Sequence, residues 1–282
     1  VEMQTFPAFK TAGINRVSLG VQSLDDKELA FLGRGHSSAE ALKAIDRANA
    51  SFARTTFDLI YARPQQTVKA WEKELSQALS LAGAHLSLYQ LTIEENTAFH
   101  HAYAKHQFTL PNEEEAENLY RTTESLMQSH GFRAYEVSNY AKPGEESRHN
   151  LAYWQGTDYI GIGPGAHGRI RINGKRTATA TIKSPERWLE KTLRDHNGIE
   201  EWREIPRETE AEERLMMGLR LSAGIDYKQF LTQTGFDLRD HLNKNRIALH
   251  TKNGLLQNTP ERLQTTLNGR LVLGTLTGDL LN

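Results

Sequence analysis

The stretch RVSLGVQSLDDKELAFLGRGHSSAEALKAIDRANASFARTTFDLIYA, residues 16–62, places a helical pattern between two short apolar runs. The runs RVSLGV and TFDLIYA are rich in Val, Leu, Ile, Phe and Tyr, which is typical of buried strands. Between them, SSAEALKAIDRANA has a serine at its start and an apolar stripe at helical spacing. This order of strand, helix and strand predicts a parallel sheet that is covered by helices.

The same alternation continues along the chain. Residues 68–82 have a helical pattern, HLSLYQLTI at residues 85–93 reads as a third strand, and residues 111–131 form another helical pattern. A further strand is predicted at residues 132–141, and Asn173-Gly174 predicts a hairpin because alternating residues flank it. The sequence therefore predicts an α/β fold, with an α/β portion over residues 1–180.

The character of the sequence changes after about residue 206. Three helical patterns are followed by LLQNTPERLQTTL, which reads as two short strands, and then by a closing helical pattern. Three helices, a two-stranded wing and a last helix predict a winged-helix-like domain over residues 206–282.

Composition excludes several classes of protein. The chain has 282 residues with 34 basic and 35 acidic side chains, and this balance argues against a dedicated nucleic-acid binder. It has neither the run of about 20 apolar residues that a membrane helix needs nor a secretory signal at its start. With 0 cysteines, it contains no disulfide and no thiolate metal site, so a cytoplasmic location is expected.

Polar residues lie within the first two predicted strands. Ser18, Gly20 and Gln22 share one face of the first strand, and Asp58 interrupts an apolar face of the second. Ligands of parallel α/β folds bind at the carboxyl ends of the strands, which makes Gln22 and Asp58 candidate ligand contacts. Alternatively, local donors satisfy Asp58 and Gln22 only opens a loop. Arg34, in LGRGH, is either a carboxylate-binding residue or a solvated loop arginine.

The stretch SRHNLAYWQGTDYIGIGPGAHG, residues 147–168, combines aromatic, histidine and glycine residues. Histidine is a common ligand of haem iron and aromatic rings stack on flat macrocycles, so HNLAYW is a candidate porphyrin site, although a lone histidine is more often structural. GPGAHG matches the dinucleotide-binding fingerprint, but strand-like RIRINGKR follows it instead of a helix. The glycines therefore indicate a close approach of the backbone to another group.

The winged-helix-like tail raises the question of DNA binding. Its candidate recognition region carries Arg239, Lys244 and Arg246 together with Asp237 and Asp240, so it shows no clear basic stripe. A packing role or a protein contact is the preferred interpretation.

Several segments together resemble the radical S-adenosylmethionine proteins of the oxygen-independent coproporphyrinogen III oxidase group, most closely their HemW-type haem chaperone branch. They occur in the expected order over nearly the whole chain: GINRVSLGVQSLDDKELAFLGRGHS, FDLIYARPQQT, HLSLYQLTIE, YEVSNYAKPG, HNLAYW, YIGIGPGAHG and LMMGLRLSAGI. The resemblance implies an incomplete (β/α) radical SAM barrel followed by a helical, winged-helix-like domain.

The resemblance also implies roles for individual residues. Gln22, Arg34 and Asp58 match positions that contact S-adenosylmethionine, with the arginine on its carboxylate and the other two on its ribose side. The H-N-x-x-Y-W pattern that the haem chaperone branch associates with haem falls on His149, Asn150, Tyr153 and Trp154, of which His149 is the leading candidate for haem contact.

The sequence also departs from the family pattern. The C-x-x-x-C-x-x-C motif of the family's 4Fe-4S cluster and its glycine-rich methionine-binding motif are absent, so no residue of this chain is assigned a catalytic or metal-binding role. The chain is therefore expected to be a fragment that begins after the third barrel strand, with the cluster present only in the full-length protein. Ala62 also replaces the glycine that most relatives have.

Three functional hypotheses follow from these motifs and patterns. The first is a HemW-like protein that binds haem and delivers it to acceptor proteins, without a nucleic-acid partner or a membrane span. The second is an oxygen-independent coproporphyrinogen III oxidase, which would need the missing cluster to generate a radical. The third is a winged-helix regulator with an α/β ligand-sensing domain.

Overall fold

The structure is a computed structural model that describes residues 3–281, with the side chain of residue 3 left out. It contains two compact units, Val1–Glu146 and Ser147–Asn282, which are described separately below. Because compactness alone does not define a domain family, the predicted boundary between residues 180 and 206 stays a prediction.

The first unit is a mixed sheet with helices. Its elements after a 3-10 turn at Met3–Thr5 are α1 (Phe6–Thr11), β1 (Arg16–Gln22), α2 (Asp26–Phe31), α3 (Ser38–Ser51), β2 (Arg54–Tyr61), α4 (Val68–Leu81), β3 (His85–Gln90), α5 (Ala98–Ala104), α6 (Glu113–Ser129), β4 (Arg133–Ala134) and β5 (Asn139–Ala141). The strand order is β1-β2-β3-β5-β4. Strands β1, β2 and β3 are parallel, as predicted, whereas β5 pairs antiparallel with both β3 and β4.

The prediction of a single strand over residues 132–141 is wrong. The segment folds into the two short strands β4 and β5, which pair with each other in antiparallel register. The carboxylate of Glu136, between them, accepts hydrogen bonds from the Ser138 amide at 2.9 Å and from Asn139 Nδ2 at 2.6 Å. These local bonds to Glu136 stabilise the turn that breaks the apolar run.

Helices pack on one face of this sheet around a buried tryptophan. Trp71 of α4 is fully buried and its ring stacks on Tyr61 of β2 with 5.0 Å between ring centroids. Its indole Nε1 donates to the hydroxyl of Thr123 in α6 at 2.8 Å, which satisfies the buried polar atom. This contact joins the sheet, α4 and α6 into one core on that face.

Over its described residues, 147–281, the second unit contains two antiparallel three-stranded sheets, with strand orders β6-β7-β8 and β10-β11-β9, and eight helices. Its elements are α7 (Arg148–Trp154), β6 (His167–Ile172), β7 (Lys175–Thr181), α8 (Pro185–Asp195), β8 (Ile199–Glu204), α9 (Arg207–Gly218), β9 (Ile225–Asp226), α10 (Tyr227–Thr234), α11 (Leu238–His241), α12 (Lys244–Lys252), β10 (Leu256–Asn258), β11 (Arg262–Thr265), α13 (Leu267–Leu271) and α14 (Leu273–Leu281).

The predicted hairpin and wing are both present in this unit. Strands β6 and β7 pair on either side of Asn173-Gly174, whose φ angles of +50° and +78° suit the tight turn. Strands β10 and β11 form the wing and β9 adds a third short strand to it. The third helical pattern, predicted at residues 237–254, and the closing one, predicted at residues 268–281, each divide into two helices. Buried side chains from the helices and the wing, among them Leu215, Phe230 and Leu263, form one apolar core.

Within residues 3–281, no helix is both long enough and apolar enough to cross a bilayer.

Candidate functional site

A row of polar side chains crosses the other face of the first sheet. Ser18 of β1 donates to Asp58 Oδ1 of β2 at 3.3 Å, and Asp58 lies in register with Ser87 of β3. The Ser87 hydroxyl donates to Asn139 Oδ1 of β5 at 2.9 Å, and Asn139 Nδ2 donates to Glu136 at 2.6 Å. Four strands therefore contribute to one row of polar side chains, on the face opposite the helices, which is exposed at Ser18 and buried at Ser87, Asn139 and Glu136.

The carboxylate of Asp58 lies at the centre of this row. Burial raises its pKa above the ordinary value of 3.8, and hydrogen bonds from Ser87 and Ser18 oppose the rise only in part. Tyr89, 40% exposed on the same strand as Ser87, also has a raised pKa, because of its own burial and the nearby Asp58 charge. A partly desolvated carboxylate beside an accessible aromatic ring suits a ligand with hydroxyl donors and a flat apolar part.

The carboxyl end of β1 brings Gln22 to this surface. The pairing of β1 with β2 shifts between Leu19 and Gln22, so that Gln22 pairs with Leu59, the neighbour of Asp58. Gln22 has the left-handed φ angle of +72°. A Cβ at Gly20 would lie 3.2 Å from Gln22 Nε2, so the amide lies over the glycine. This register shift, a β-bulge, therefore places the Gln22 side chain on the same face of the sheet as Asp58.

The loop that carries Arg34 is attached to the same strand end. The ring Nε2 of His36 is hydrogen-bonded to the Val21 carbonyl of β1 at 3.1 Å, and the Arg34 amide donates to the Leu29 carbonyl at 2.9 Å. The Arg34 side chain is exposed. The structure therefore brings Gln22, Asp58 and the Arg34 loop together toward the carboxyl ends of β1 and β2. Their contacts with S-adenosylmethionine stay a prediction.

A buried ion-pair network, which sequence reasoning missed, lies at the loops that follow β1 and β2. Arg63, only 3% exposed, follows β2 and pairs with Glu74 of α4 and, at 3.1 Å, with Glu28 of α2. Glu74 Oε1 also accepts hydrogen bonds from the Ser23 hydroxyl at 2.5 Å and the Leu24 amide at 2.9 Å. The network joins the loops that leave β1 and β2 to the two helices that follow those strands.

The HNLAYW segment is helix α7, which the sequence pattern did not predict. His149 and Tyr153 are four residues apart, share one face of the helix and are exposed, Tyr153 by 37%. The Tyr153 ring lies 5.5 Å from that of Tyr159. Trp154 is only partly exposed, and the Arg220 guanidinium lies 4.3 Å from the centroid of its ring. The histidine and the two tyrosines thus lie along an accessible surface, whereas one side of the tryptophan is covered.

The glycine-rich segment follows directly after Tyr159. Ile160 and Ile162 are 73% and 88% exposed, which is unusual for isoleucine. A Cβ at Gly161 would lie 2.5 Å from the carbonyl oxygen of His167, so glycine is required for the approach of the two backbones. Strand β6 and not a helix follows, which confirms that GPGAHG is not a dinucleotide-binding turn. Before that strand, Tyr159 forms an isolated antiparallel bridge with Arg169.

The residues of the chain fit the three expected cofactors unequally. The polar row fits a nucleoside-like ligand, and the exposed His149 offers an imidazole to haem iron. A cluster held by thiolates does not fit, because the sequence has 0 cysteines. Within the part of the chain that the structure describes, no group of three His, Cys, Asp or Glu side chains is placed to hold a metal ion.

The three basic residues of the candidate recognition region lie close to carboxylates. Their ion pairs are Arg239 with Asp237 at 2.7 Å, Lys244 with Asp240 at 3.9 Å and Arg246 with Asp279 at 3.4 Å. The surface is therefore electrically mixed, and that nucleic acid is not a partner stays a prediction.

Comparison with known families and proteins gives consistent matches. Residues 4–78 match the Radical SAM superfamily and residues 205–272 match the HemN C-terminal domain. The chain is 34% identical over 276 residues to "Heme chaperone HemW" of Bacillus subtilis, covering 96% of this chain and 72% of that protein. It is 32% identical over 278 residues to "Heme chaperone HemW" of Escherichia coli, covering 98% and 71%.

A mitochondrial relative matches over a smaller part of its length. "Radical S-adenosyl methionine domain-containing protein 1, mitochondrial" of Mus musculus is 38% identical over 228 residues, which cover 79% of this chain and 52% of that protein. Coproporphyrinogen III oxidase (HemN) from Escherichia coli superposes with a TM-score of 0.77 at 19% identity, covering 100% of this chain and 67% of that one. The superposition confirms the predicted α/β radical SAM fold with its helical C-terminal part. From these matches, the chain belongs to the HemN/HemW-type family of radical S-adenosylmethionine proteins.

Proposed function

We propose that this chain supplies the haem-binding and S-adenosylmethionine-binding parts of a HemW-like protein that delivers haem to acceptor proteins. The observation that carries the proposal is the exposed pair His149 and Tyr153 on one face of α7, in a chain 34% identical to a haem chaperone. His149 provides an imidazole ligand for the iron, and Tyr153 provides an aromatic surface beside it.

The neighbouring loop suits a tetrapyrrole in its polarity. Ile160 and Ile162 present apolar side chains to solvent next to Tyr159, whose ring contacts that of Tyr153. A macrocycle that binds through His149 would cover part of this apolar surface and remove it from water. Asn150, one residue after His149, carries a polar amide and is proposed to lie at the polar edge of the ligand.

For S-adenosylmethionine, we propose that Asp58 and Gln22 bind the ribose side and that Arg34 binds the carboxylate. The partly desolvated Asp58 carboxylate is an acceptor for ribose hydroxyls. When bound with its 4Fe-4S cluster, this cofactor supplies radical chemistry in the family. This chain contains 0 cysteines with which to hold that cluster, and it spans 72% of the Bacillus subtilis relative.

Haem titration tests the proposal. We expect one equivalent of haem to give a saturable Soret shift, and His149→Ala to weaken the affinity by about tenfold or more, equivalent to about 1.4 kcal/mol. His101→Ala, which removes another exposed histidine, is the matched control and should titrate like the unmodified protein. Equal affinities and equal spectra for His149→Ala and the unmodified protein would contradict the proposal. Decarboxylation of coproporphyrinogen by a full-length, cluster-loaded protein would support the oxidase function instead.

A further inference from the structure

Residues of the HemN C-terminal match hold the end of helix α7. Arg214 of α9 is buried, and its Nη1 donates to the carbonyl of Gln155, the C-cap of α7, at 3.2 Å. The same guanidinium donates to Gln233 Oε1 at 2.7 Å and to Glu210 Oε1 at 3.1 Å. Three acceptors therefore fix the orientation of this arginine, and through it the end of the helix that carries His149.

The residue after Gln155 is Gly156, and it leaves room for the Arg214 guanidinium. Gly156 is buried and has a left-handed φ angle of +64°. A Cβ at Gly156 would lie 2.8 Å from Arg214 Nη1, closer than real Cβ contacts allow. Only glycine combines this backbone conformation with the close packing of the guanidinium.

A second arginine of the same module stacks on the helix. The Arg220 guanidinium lies 4.3 Å from the centroid of the Trp154 ring, within the range of a cation–π contact. The indole also lines a cavity of only about 50 Å³ together with Gln155 and Arg214, which is too small for a tetrapyrrole. One side of Trp154 is therefore occupied by the protein itself, in contrast to the exposed Tyr153.

We infer that Trp154 and Arg220 are positioning residues, through which the winged-helix-like module fixes the direction in which α7 presents His149 to haem. Residues 205–272, which match the HemN C-terminal domain, include both Arg214 and Arg220. The inference rests on the proposed haem function and gives Trp154 a supporting role instead of direct stacking on the ligand. A helix held at its carboxyl end by two arginines keeps its exposed amino end, and therefore His149, in one orientation.

The test compares haem binding by four single variants, and by the double variant Arg220→Met/Trp154→Leu, with that by the unmodified chain. Arg220→Met keeps the length of the side chain but removes its charge, and Arg220→Lys keeps a cation. Trp154→Leu removes the ring. Arg239→Met is the matched control, because Arg239 makes another cation–π contact in the same module, 5.3 Å from the Tyr227 ring centroid. The measurements are haem affinity, the position of the Soret band and the spin state of ferric haem by electron paramagnetic resonance.

We expect Arg220→Met and Trp154→Leu to weaken haem binding by similar factors, each on the order of threefold to tenfold, and to alter the ferric spin state in the same way. The double variant Arg220→Met/Trp154→Leu should bind haem no more weakly than either single variant, because both substitutions remove the same contact. Arg220→Lys should restore most of the affinity, and Arg239→Met should leave both affinity and spin state unchanged.

Two outcomes would overturn the inference. If Trp154→Leu weakens binding while Arg220→Met does not, the indole contacts haem directly. If both variants fold and bind haem with the original affinity and spectrum, the contact does not position His149. Should Arg220→Met not fold, Trp154→Leu alone and combined with Arg220→Lys give the same comparison. His149→Ala, measured in parallel, separates the two proposals. If this substitution leaves the haem affinity and spectrum unchanged, the proposed function itself is wrong, and not only the positioning role of Trp154 and Arg220.

Discussion

At the scale of single residues, His85 shows how the sheet retains a polar group inside its core. Its ring is 3% exposed, with Nδ1 hydrogen-bonded to the Thr56 hydroxyl and Nε2 to the Tyr135 hydroxyl, both at 2.9 Å. Burial, with smaller contributions from the positive charges of Arg16 and Arg54, lowers the pKa of His85 from 6.5 to about 3. The imidazole is therefore neutral in the folded protein throughout the physiological pH range.

The stability of the chain is expected to fall on acidification because of His85. In the unfolded chain this histidine binds a proton near pH 6.5, whereas the folded chain excludes the proton until about pH 3. Stability from this group is therefore present above pH 6.5 and is lost as the pH falls toward 3, by at most about 1.4 kcal/mol per pH unit.

Urea unfolding at pH 4, 5 and 6 measures this slope. We expect His85→Gln to be less stable near neutral pH but to show a smaller loss of stability on acidification. His101→Gln, at an exposed position, serves as the control and should retain the original slope. If His85→Gln keeps the full slope, other groups account for the acid sensitivity.

The residue scale also shows where sequence reasoning reaches its limit. Gln22 and Asp58 could be placed at neighbouring strand ends because strand periodicity and parallel order are local patterns. The hydrogen bonds of the polar row to Ser87 and Asn139 could not be predicted, because they depend on the pairing of β3 with an antiparallel β5 from 52 residues farther along.

At the scale of elements, helix ends reveal local strain. Helix α8 ends at His196, which has a left-handed φ angle of +57° at the C-cap. For residues with a Cβ this conformation costs about 1–2 kcal/mol, whereas glycine adopts it readily. The side chain of His196 is exposed, so little packing depends on it.

We expect His196→Gly to stabilise the second unit by about 1 kcal/mol, because glycine removes the left-handed strain at the end of α8. His196→Ala is the control: it removes the imidazole but keeps the Cβ, and it should leave the stability almost unchanged. Thermal unfolding by circular dichroism provides the comparison. Equal stabilisation by both substitutions would show that the imidazole, and not the backbone, is the source of the strain.

Most elements were predictable because their apolar residues are periodic, and the misses have physical causes. Strand β8, with sequence IEEWRE, has no apolar run, because it is an exposed outer strand stabilised by its ladder with β7. Helix α7 is only seven residues long and begins with Arg-His-Asn, so its apolar pattern is too short to indicate a helix. Its carboxyl end contacts Arg214 of α9 and Arg220 of the segment after α9.

At the scale of the whole molecule, the buried network of Arg63 and Glu74 organises the first unit. It joins two strand ends to two helices across residues that are distant in sequence, such as Ser23 and Glu74, 51 positions apart. Arg63 lies in the segment FDLIYARPQQT, but no role was assigned to it, and the periodicity of apolar residues does not indicate a buried pair of charges. A buried pair of this kind is destabilising when one partner is missing, because the other charge remains desolvated.

We expect Arg63→Met to reduce the unfolding free energy by about 3–5 kcal/mol, because Glu74 would stay buried without its partner. The double variant Arg63→Met/Glu74→Met should recover much of this loss. Urea unfolding of the two single variants and the double variant gives the coupling energy. Arg121→Met, which breaks the exposed pair with Glu117, is the control and should cost less than about 1 kcal/mol. Additive losses at Arg63 and Glu74 would contradict the prediction.

The position of β1 at the end of the strand order has a practical consequence for handling the protein. Among the described residues, Arg16–Gln22 pairs with β2 on one side only, so β1 is an edge strand of the described sheet. Such an edge recruits any extended polypeptide that reaches it, including another molecule of the same kind. Self-association in concentrated solution is thus expected to begin at this edge, and a strand supplied alongside β1 should suppress it.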